Sequence, residues 1–392
     1  MIKVTMFSFQ NINALNGTAK FAKLFTENDC FFKDNGIQME VFSNSSSFSD
    51  EEIFRKGLRY KLNQWIKKIL SFTVLGNIIL VRIAIFRNAE KAVNQYLSSN
   101  CRDDKDNTVF LFNDYFTLLH FLKIAPDKKN LIFIMHNNGD VLKMLFDKYP
   151  RYKKSKEAHK LMSSQISILR KVDLIVFVSK KAQERFNKTY PFFKEKTKTV
   201  YIGHKDSGQI SKCGTESLKM ITVGTVSKRK NQMGVLKALT EIGDPDIHYT
   251  IVGDGPMLNR CKNYITKKEL CKQVFLVGSK NNVKHYMLDC NLYISNSRDE
   301  GLPIAAQEAL ECGLPVITTD VGGCSELIEG NGICIKPGNQ NLVKAIKDIN
   351  SRKSLLDGMM KNSRTLFLKK FTLETMFDQY LEIFKNMCKG VK

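Results

Sequence analysis

Short apolar runs separated by longer mixed segments recur along the whole chain. In the first half, Val4–Phe9, Gln38–Phe42, Thr108–Phe112, Leu131–His136 and Leu174–Ser179 read as strands of parallel type, and Val200–Ile202 closes the series. The second half repeats the scheme with Lys219–Val223, His248–Val252, Gln273–Val277, Leu292–Ser295 and Pro315–Thr319. Helical patterns fill the intervals. Ala14–Lys33 contains one helix, Asp50–Leu97 reads as a long helical insert, and about Leu373–Met387 forms the last helix. Two successive βα arrays predict an α/β protein with two Rossmann-like doubly wound domains facing a cleft, with ligands beyond the carboxyl ends of the strands. The polar, Gly-containing stretch Gly203–Ser217 is the expected linker and hinge. The expected organisation is therefore residues 1–203, with the insert at about 50–97, then 204–372, then a helix over 373–392 crossing back to the first domain. No fixed-period repeat is present.

Length and composition agree with this picture. A chain of 392 residues with 43% hydrophobic and 26% charged residues and 8 Pro is globular, and its length suits two domains. The formal charge of +22 is unevenly spread. Residues 1–203 hold 34 Lys and Arg against 19 Asp and Glu, and the remainder 27 against 20. The first half thus prefers an anionic partner: nucleic acid, an anionic membrane surface or a phosphorylated substrate. Aromatic-interleaved basic strands or a nucleic-acid-binding module are missing, so nucleic acid is not expected. The 10 cysteines are scattered without a C-x-x-C pair, which argues for reduced thiols in a cytoplasmic chain. The N-terminal MIKVTMFSF runs into a strand pattern and lacks the features of a signal peptide.

The longest uncharged apolar stretch, Ile69–Val81, is too short to span a bilayer and reads as a core or interfacial helix. Around it, between Arg55 and Lys91, lie nine basic residues and one acid, Glu90, with Trp65 among them. This stretch is either a solvated basic face or a contact with anionic lipid on the inner membrane face.

Several familiar motifs are missing: no Walker P-loop, no H-E-x-x-H and no G-x-S-x-G. Gly253-Asp254-Gly255 follows a strand but lacks the third glycine of a dinucleotide fingerprint, so it reads as a tight strand-to-helix turn. The D-x-D triplets Asp104-Lys105-Asp106 and Asp244-Pro245-Asp246 read as solvated turns rather than metal ligands, and no metal or other cofactor is expected. Ser227-Lys228-Arg229-Lys230-Asn231 places three cations where a helix N-terminus disfavours them, which suggests an external anion such as phosphate. Within Asn291–Gly323, Glu300 and Glu308 bracket the start of a helix opened by Gly301-Leu302-Pro303. A Glu in such a helix can grip a vicinal diol, and the free N–H groups can meet phosphate. Capping plus a surface acid explains either Glu alone, but not this spacing with a following strand and Gly322-Gly323.

These residues carry a resemblance. Glu300-Gly301-Leu302-Pro303 with Glu308 (E-x7-E), Ala309–Ile317, Gly322-Gly323, Gly224 with Lys230-Asn231, and Gly253–Pro256 resemble, over about residues 219–340, the retaining family-4 nucleotide-sugar glycosyltransferases of the GT-B fold. The resemblance implies that Glu308 binds the donor ribose, Glu300 touches the transferred sugar, and backbone groups of Gly301, Leu302, Pro303 and Ile304 hold sugar or phosphate. Lys230 neutralises the diphosphate, assisted by Arg229. Where the family often carries Arg, this chain has Thr225, and Arg229 or Lys228 substitutes. In the first half, Asn16-Gly17-Thr18 implies a donor-phosphate contact through Gly17, and His136 matches the family's histidine near the sugar.

The implied reaction is metal-independent transfer of a hexose-type sugar, with retention, from a nucleotide diphosphate sugar, UDP being the commonest donor. The expected acceptor is a glycan or lipid-linked glycan of bacterial surface polysaccharide assembly. A nucleotide-sugar epimerase and a catalytically dead membrane-surface scaffold share the same expected fold and stand as alternatives.

Overall fold

A computed structural model describes residues 1–14, 17–44, 65–99, 107–212, 214 and 216–389. The chain forms two compact units. The first comprises Met1–Phe177, Arg185–Thr199 and Gln379–Lys392, the second Val178–Glu184 and Val200–Asp378.

The first unit is built on six parallel strands in the order β2-β1-β3-β4-β5-β6. They are β1 (Ile2–Ser8), β2 (Ile37–Ser43), β3 (Thr108–Phe112), β4 (Leu131–Met135), β5 (Leu174–Phe177) and β6 (Thr197–Thr199). Every residue of β3 and β4 is buried, as apolar runs covered on both faces require. Phe7, on β1, stacks on Phe112 with ring centroids 5.2 Å apart and meets Tyr96 edge-on at 5.4 Å. Tyr380 of the C-terminal segment closes this core against Phe25.

The chain reverses its direction across the sheet between β1 and β3, and the loops at their carboxyl ends are stitched together there. The Phe9 N–H donates to Asp114 at 2.9 Å. Asp114 also caps helix Tyr115–Ile124 by accepting from the Phe116 and Thr117 N–H groups at 3.0 and 2.8 Å.

The apolar stretch Ile69–Val81 is not one helix. It breaks at Ser71–Thr73, between helical residues 65–70 and helix Val74–Val81. Thr73 caps the second helix through the Gly76 N–H at 2.9 Å. Residues 45–64, which include Arg55, Lys56, Arg59 and Lys61 and the first part of the expected insert, lie outside the described residues, as do Asn16 and the triplet Asp104–Asp106.

The second unit holds six parallel strands in the order β12-β11-β10-β7-β8-β9. They are β7 (Leu218–Val223), β8 (Ile247–Val252), β9 (Val274–Gly278), β10 (Leu292–Ser295), β11 (Val316–Thr319) and β12 (Gly332–Ile335). Here the order reverses between β7 and β10. One apolar core, including Met220, Leu236, Tyr249, Ile294 and Ile346, lies against this sheet.

Val200–Ile202, expected as a strand, is unpaired in regular structure, with Val200 and Ile202 buried and Tyr201 half-buried; the edge strand is instead Thr197–Thr199, paired with β5. The expected hinge is also bonded down for much of its length. His204 bridges Thr372, donating its N–H to the Phe371 carbonyl at 2.9 Å and accepting from Leu373 at 3.0 Å. The Ser207 N–H and hydroxyl each donate to Glu311 at 2.8 Å, and the Ser211 hydroxyl donates to the Cys290 carbonyl at 2.6 Å. Through residue 211 this stretch is therefore part of the second unit's fabric. Asp244–Asp246 is a turn, with the Asp246 N–H donating to the Asp244 carboxylate at 2.9 Å.

Candidate functional site

In a doubly wound sheet the crevice opens where the strand order reverses, beyond the carboxyl ends of the two strands involved. In the second unit those strands are β7 and β10, and the loops after them meet. After β7, Ser227 begins a turn: its hydroxyl accepts from the Lys230 N–H at 3.2 Å, and its own N–H donates to Gln232 at 3.2 Å. Asn231 takes the left-handed conformation, φ 53°, before helix Gln232–Ile242 begins. That turn throws Arg229 and Lys230 toward the loop after β10. The two loops are tied by the Arg298 N–H donating to the Arg229 carbonyl at 2.8 Å.

Arg229 Nη1 and Lys230 Nζ both lie 2.9 Å from Glu300 Oε1. Glu300 is buried. Burial opposes its ionisation, but Lys230 and Arg229 outweigh burial and hold the carboxyl below the usual carboxylate range. Arg229 Nη1 also donates to the Asp299 carbonyl at 2.9 Å, so both cations meet this one loop. Lys228 is exposed and forms no part of the cluster.

Gly301, Leu302 and Pro303 follow Glu300. Helix Ile304–Glu311 begins after Pro303, which takes the cap position, φ −73° and ψ 113°. A proline cap has no side-chain acceptor to offer the first N–H groups. The Pro303 carbonyl takes those of Ala306 and Gln307, at 3.0 and 3.3 Å. The dipole of this helix therefore adds positive potential near Lys230 and Arg229. Glu308 sits one turn inside the same helix, half-buried. Gln307, wholly buried, accepts through Oε1 from His204 Nε2 at 2.8 Å, anchoring the helix from behind.

Glycines fix the loop. A Cβ on Gly322 would lie 1.8 Å from the Glu300 carbonyl oxygen, and φ there is +55°. The Gly323 N–H donates to the Gly301 carbonyl at 2.7 Å. The Gly253–Gly255 turn has the same purpose on the other side. A Cβ on Gly253 would stand 2.0 Å from the Gly224 carbonyl, and the Val226 N–H donates to the Asp254 carbonyl at 2.9 Å. These glycines let neighbouring strand ends approach closely, as a tight turn demands.

In the first unit, the loops after β1, β3 and β4 gather Gly17, Asn113 and His136. Gly17 opens helix Gly17–Glu27. His136 ends the β4 run, and Phe21 of that helix meets its ring edge-on at 5.0 Å. Asn113 was not singled out in the sequence, yet it organises this corner. Its Nδ2 donates to the Thr18 carbonyl at 2.9 Å, and its Oδ1 lies 2.5 Å from His136 Nε2. A carbonyl can only accept, so the amide orientation is fixed and Oδ1 faces the histidine. Nε2 must then carry the proton, leaving the lone pair on Nδ1. Burial pulls His136 down to about 4, so the ring is neutral near pH 7.

The structure thus brings Arg229, Lys230, Glu300–Ile304 and Glu308 to one crevice of the second unit. Gly17 and His136 lie at the corresponding strand ends of the first. Among the described residues no group of three or more His, Cys, Asp or Glu side chains is placed to hold a metal ion.

The geometry can be set beside known proteins. Residues 206–366 match the family described as Glycosyl transferases group 1. An uncharacterized glycosyltransferase of Methanocaldococcus jannaschii, MJ1178, is 32% identical over 148 residues, covering 36% of this chain and 42% of that protein. The UDP-Gal:alpha-D-GlcNAc-diphosphoundecaprenol alpha-1,3-galactosyltransferase of Escherichia coli is 28% identical over 173 residues, covering 42% of this chain and 44% of that protein. The chain therefore spans less than half the length of these curated relatives. Over nearly the full chain, the crystal structure of Anabaena Alr3699/HepE in complex with UDP and glucose superposes with a TM-score of 0.67 at 18% identity, covering 97% of this chain and 99% of that one. The two parallel six-stranded sheets are those of the GT-B fold.

Proposed function

We propose that this chain, which carries a Glycosyl transferases group 1 domain on a GT-B fold, transfers a hexose-type sugar from a nucleotide diphosphate sugar to a glycan or lipid-linked glycan of bacterial surface polysaccharide assembly. One observation carries the reading. At the switch point of the second sheet, two cations and a proline-capped helix N-terminus converge beside a buried carboxylate, with a second carboxylate one turn along that helix. This is chemistry for a diphosphate joined to a polyol. A relative named for O-antigen biosynthesis, WbnH of Escherichia coli, supports the polysaccharide class, and the name of the E. coli galactosyltransferase supports a diphosphoundecaprenol-linked acceptor and UDP as the donor nucleotide.

In this reading Lys230 and Arg229 bind the diphosphate and stabilise the charge that develops on it as the glycosidic bond breaks. Backbone N–H groups of Gly301–Ile304 extend the same cradle. Glu308 grips the ribose hydroxyls, and Glu300 contacts the transferred sugar. From the first unit, Gly17 is assigned a phosphate contact and His136 a sugar contact. Neutral His136 offers Nδ1 as an acceptor to a sugar hydroxyl. With the charge carried by side chains and a helix terminus, transfer proceeds without a metal ion. It retains anomeric configuration by same-face attack, the leaving phosphate taking the acceptor's proton. The chain works at the inner membrane face as a peripheral protein.

The direct test is incubation with UDP-, GDP- and ADP-sugars and a polyprenyl-diphosphate-linked sugar, following nucleotide release and the product's anomeric configuration by NMR. The expected result is an α-linked product from an α-donor, with turnover falling about 100-fold or more in Lys230→Ala. Conversion of the nucleotide sugar without acceptor would replace transfer with epimerisation.

A further inference from the structure

We propose that Leu75, Ile79 and Ile83, with Trp65 and Phe72, form a preshaped docking surface for an anionic lipid bilayer. The inference deepens the membrane-side reading above and rests on it for its purpose, but its test requires neither donor nor acceptor.

The helix Val74–Val81 and the turns after it are apolar on two opposite faces. One face is buried, through Gly76, Val81 and Ile85. The other carries Leu75, Ile79 and Ile83 at i, i+4 and i+8, with 67%, 37% and 55% of their surface exposed. A helix apolar on both sides is suited to an apolar medium on its outer face. Just before it, Trp65 and Phe72 are 61% and 60% exposed. A tryptophan beside Lys67 and Lys68 is the pattern of an interfacial segment.

The surface is rigid rather than frayed. Asn77, wholly buried, donates from Nδ2 to the carbonyls of Ser71 and Thr73, both at 2.9 Å, and so sews the break between the two helical segments. Gly76 makes the same corner possible, since a Cβ there would lie 2.0 Å from the Leu70 carbonyl oxygen. The corner therefore sets helical residues 65–70 against helix Val74–Val81.

Charge chooses the occupant. Lys67, Lys68, Arg82 and Arg87, all exposed, lie in the same helical segments as the stripe, with Arg82 paired to Glu157. A second copy of a chain carrying +22 is repelled, whereas anionic headgroups are attracted. No helix among the described residues is long and apolar enough to cross a membrane, so the surface lies in the interface instead.

Trp65 is the sole tryptophan, so tryptophan emission, excited where tyrosine does not absorb, reports on this surface alone. The experiment adds vesicles of phosphatidylglycerol and phosphatidylcholine, or of phosphatidylcholine only, to the full chain. Emission and co-sedimentation are followed, and doxyl-labelled lipid is used as quencher. The expected result is a blue shift and quenching of Trp65 with the anionic vesicles. In Leu75→Gln/Ile79→Gln/Ile83→Gln, whose positions are already exposed, vesicle affinity falls about tenfold or more. In Lys67→Glu/Lys68→Glu it falls likewise, and more so at low salt. Unchanged Trp65 emission, or a triple variant that sediments as the parent does, overturns the proposal. A blue shift without vesicles, rising with protein concentration alongside a doubled mass, also overturns it in favour of self-association. UDP titration of the same triple variant separates the two readings. Normal nucleotide binding with lost vesicle binding supports the surface. In the parent, titrated likewise, vesicle binding without nucleotide binding leaves the surface standing and sinks the transferase reading instead.

Discussion

Glu300 is a carboxylate whose charge is held in place by its neighbours rather than by water. Its folded carboxyl titrates below the ordinary glutamate value, because Lys230 and Arg229 overcome its burial. The sign follows from linkage. The pair contributes stability above the unfolded glutamate value of about 4.3, and this is lost as pH falls through the lower folded value. Acid denaturation of Glu300→Gln between about pH 5 and pH 3 should therefore be shallower than that of the parent. Equal slopes would show that the pair contributes no net stability.

The second residue-level prediction concerns His136. Nitrogen-detected NMR should find the Nε2–H tautomer and a titration near 4. In Asn113→Leu the tautomers should mix, and the transfer rate should fall more than donor affinity. Because the folded value lies below the unfolded one of about 6.5, the parent loses stability as pH drops from there toward 4. His136→Gln should lack that slope. An Nδ1–H tautomer in the parent would remove Asn113 from its positioning role. The sequence made Lys230, Arg229, Glu300 and Glu308 visible as candidates, because their spacing around a helix start is unusual. It did not show that Glu300 is the partner of both cations, because that contact joins loops distant in sequence. Asn113 was invisible for the same reason: an asparagine ending a strand looks like any turn residue until Thr18 and His136 are folded around it.

At the scale of elements, the loops of the crevice are held by backbone packing that tolerates no side chain. Gly322→Ala and Gly253→Ala place a methyl 1.8 and 2.0 Å from a carbonyl oxygen, at positive φ. Each should cost about 2 kcal/mol or more. Gly243 is the control: its φ is +69°, but a Cβ there meets nothing within 4 Å. Gly243→Ala should cost only the conformational strain of about 1 kcal/mol. Thermal unfolding of the three variants decides whether close approach, rather than left-handed geometry alone, selects the glycines.

Hydrophobic runs placed most strands to within a residue or two, since parallel strands buried on both faces leave an unbroken apolar signature. The exceptions have physical causes. The edge strand Gly332–Ile335 is only four residues and opens on a glycine. Val200–Ile202 is apolar because it packs inside the second unit, not because it pairs. The break at Ser71–Thr73 depends on Asn77 reaching back to three carbonyls, which no periodicity reveals.

At the scale of the whole chain, alternation of strand and helix was enough to predict two doubly wound sheets. The order reversal in each sheet decides where chemistry gathers: after β1, β3 and β4 in one unit, after β7 and β10 in the other. The expected hinge was less legible. Its polar composition is that of a linker, but His204, Ser207 and Ser211 spend their polar groups on the second unit, and the division between units falls at Thr199/Val200.

The central claim is that the crevice between β7 and β10 binds a nucleoside diphosphate through Lys230 and Glu308. Calorimetric titration with UDP, GDP and ADP, with and without EDTA, on the parent, Lys230→Ala and Glu308→Ala tests it most directly. The account predicts selective binding of one nucleotide, UDP first, unchanged by EDTA and lost or weakened about tenfold or more in both variants. No binding of any nucleotide at about millimolar concentration, a Kd regime of about −4 kcal/mol, or full binding in both variants, would contradict it.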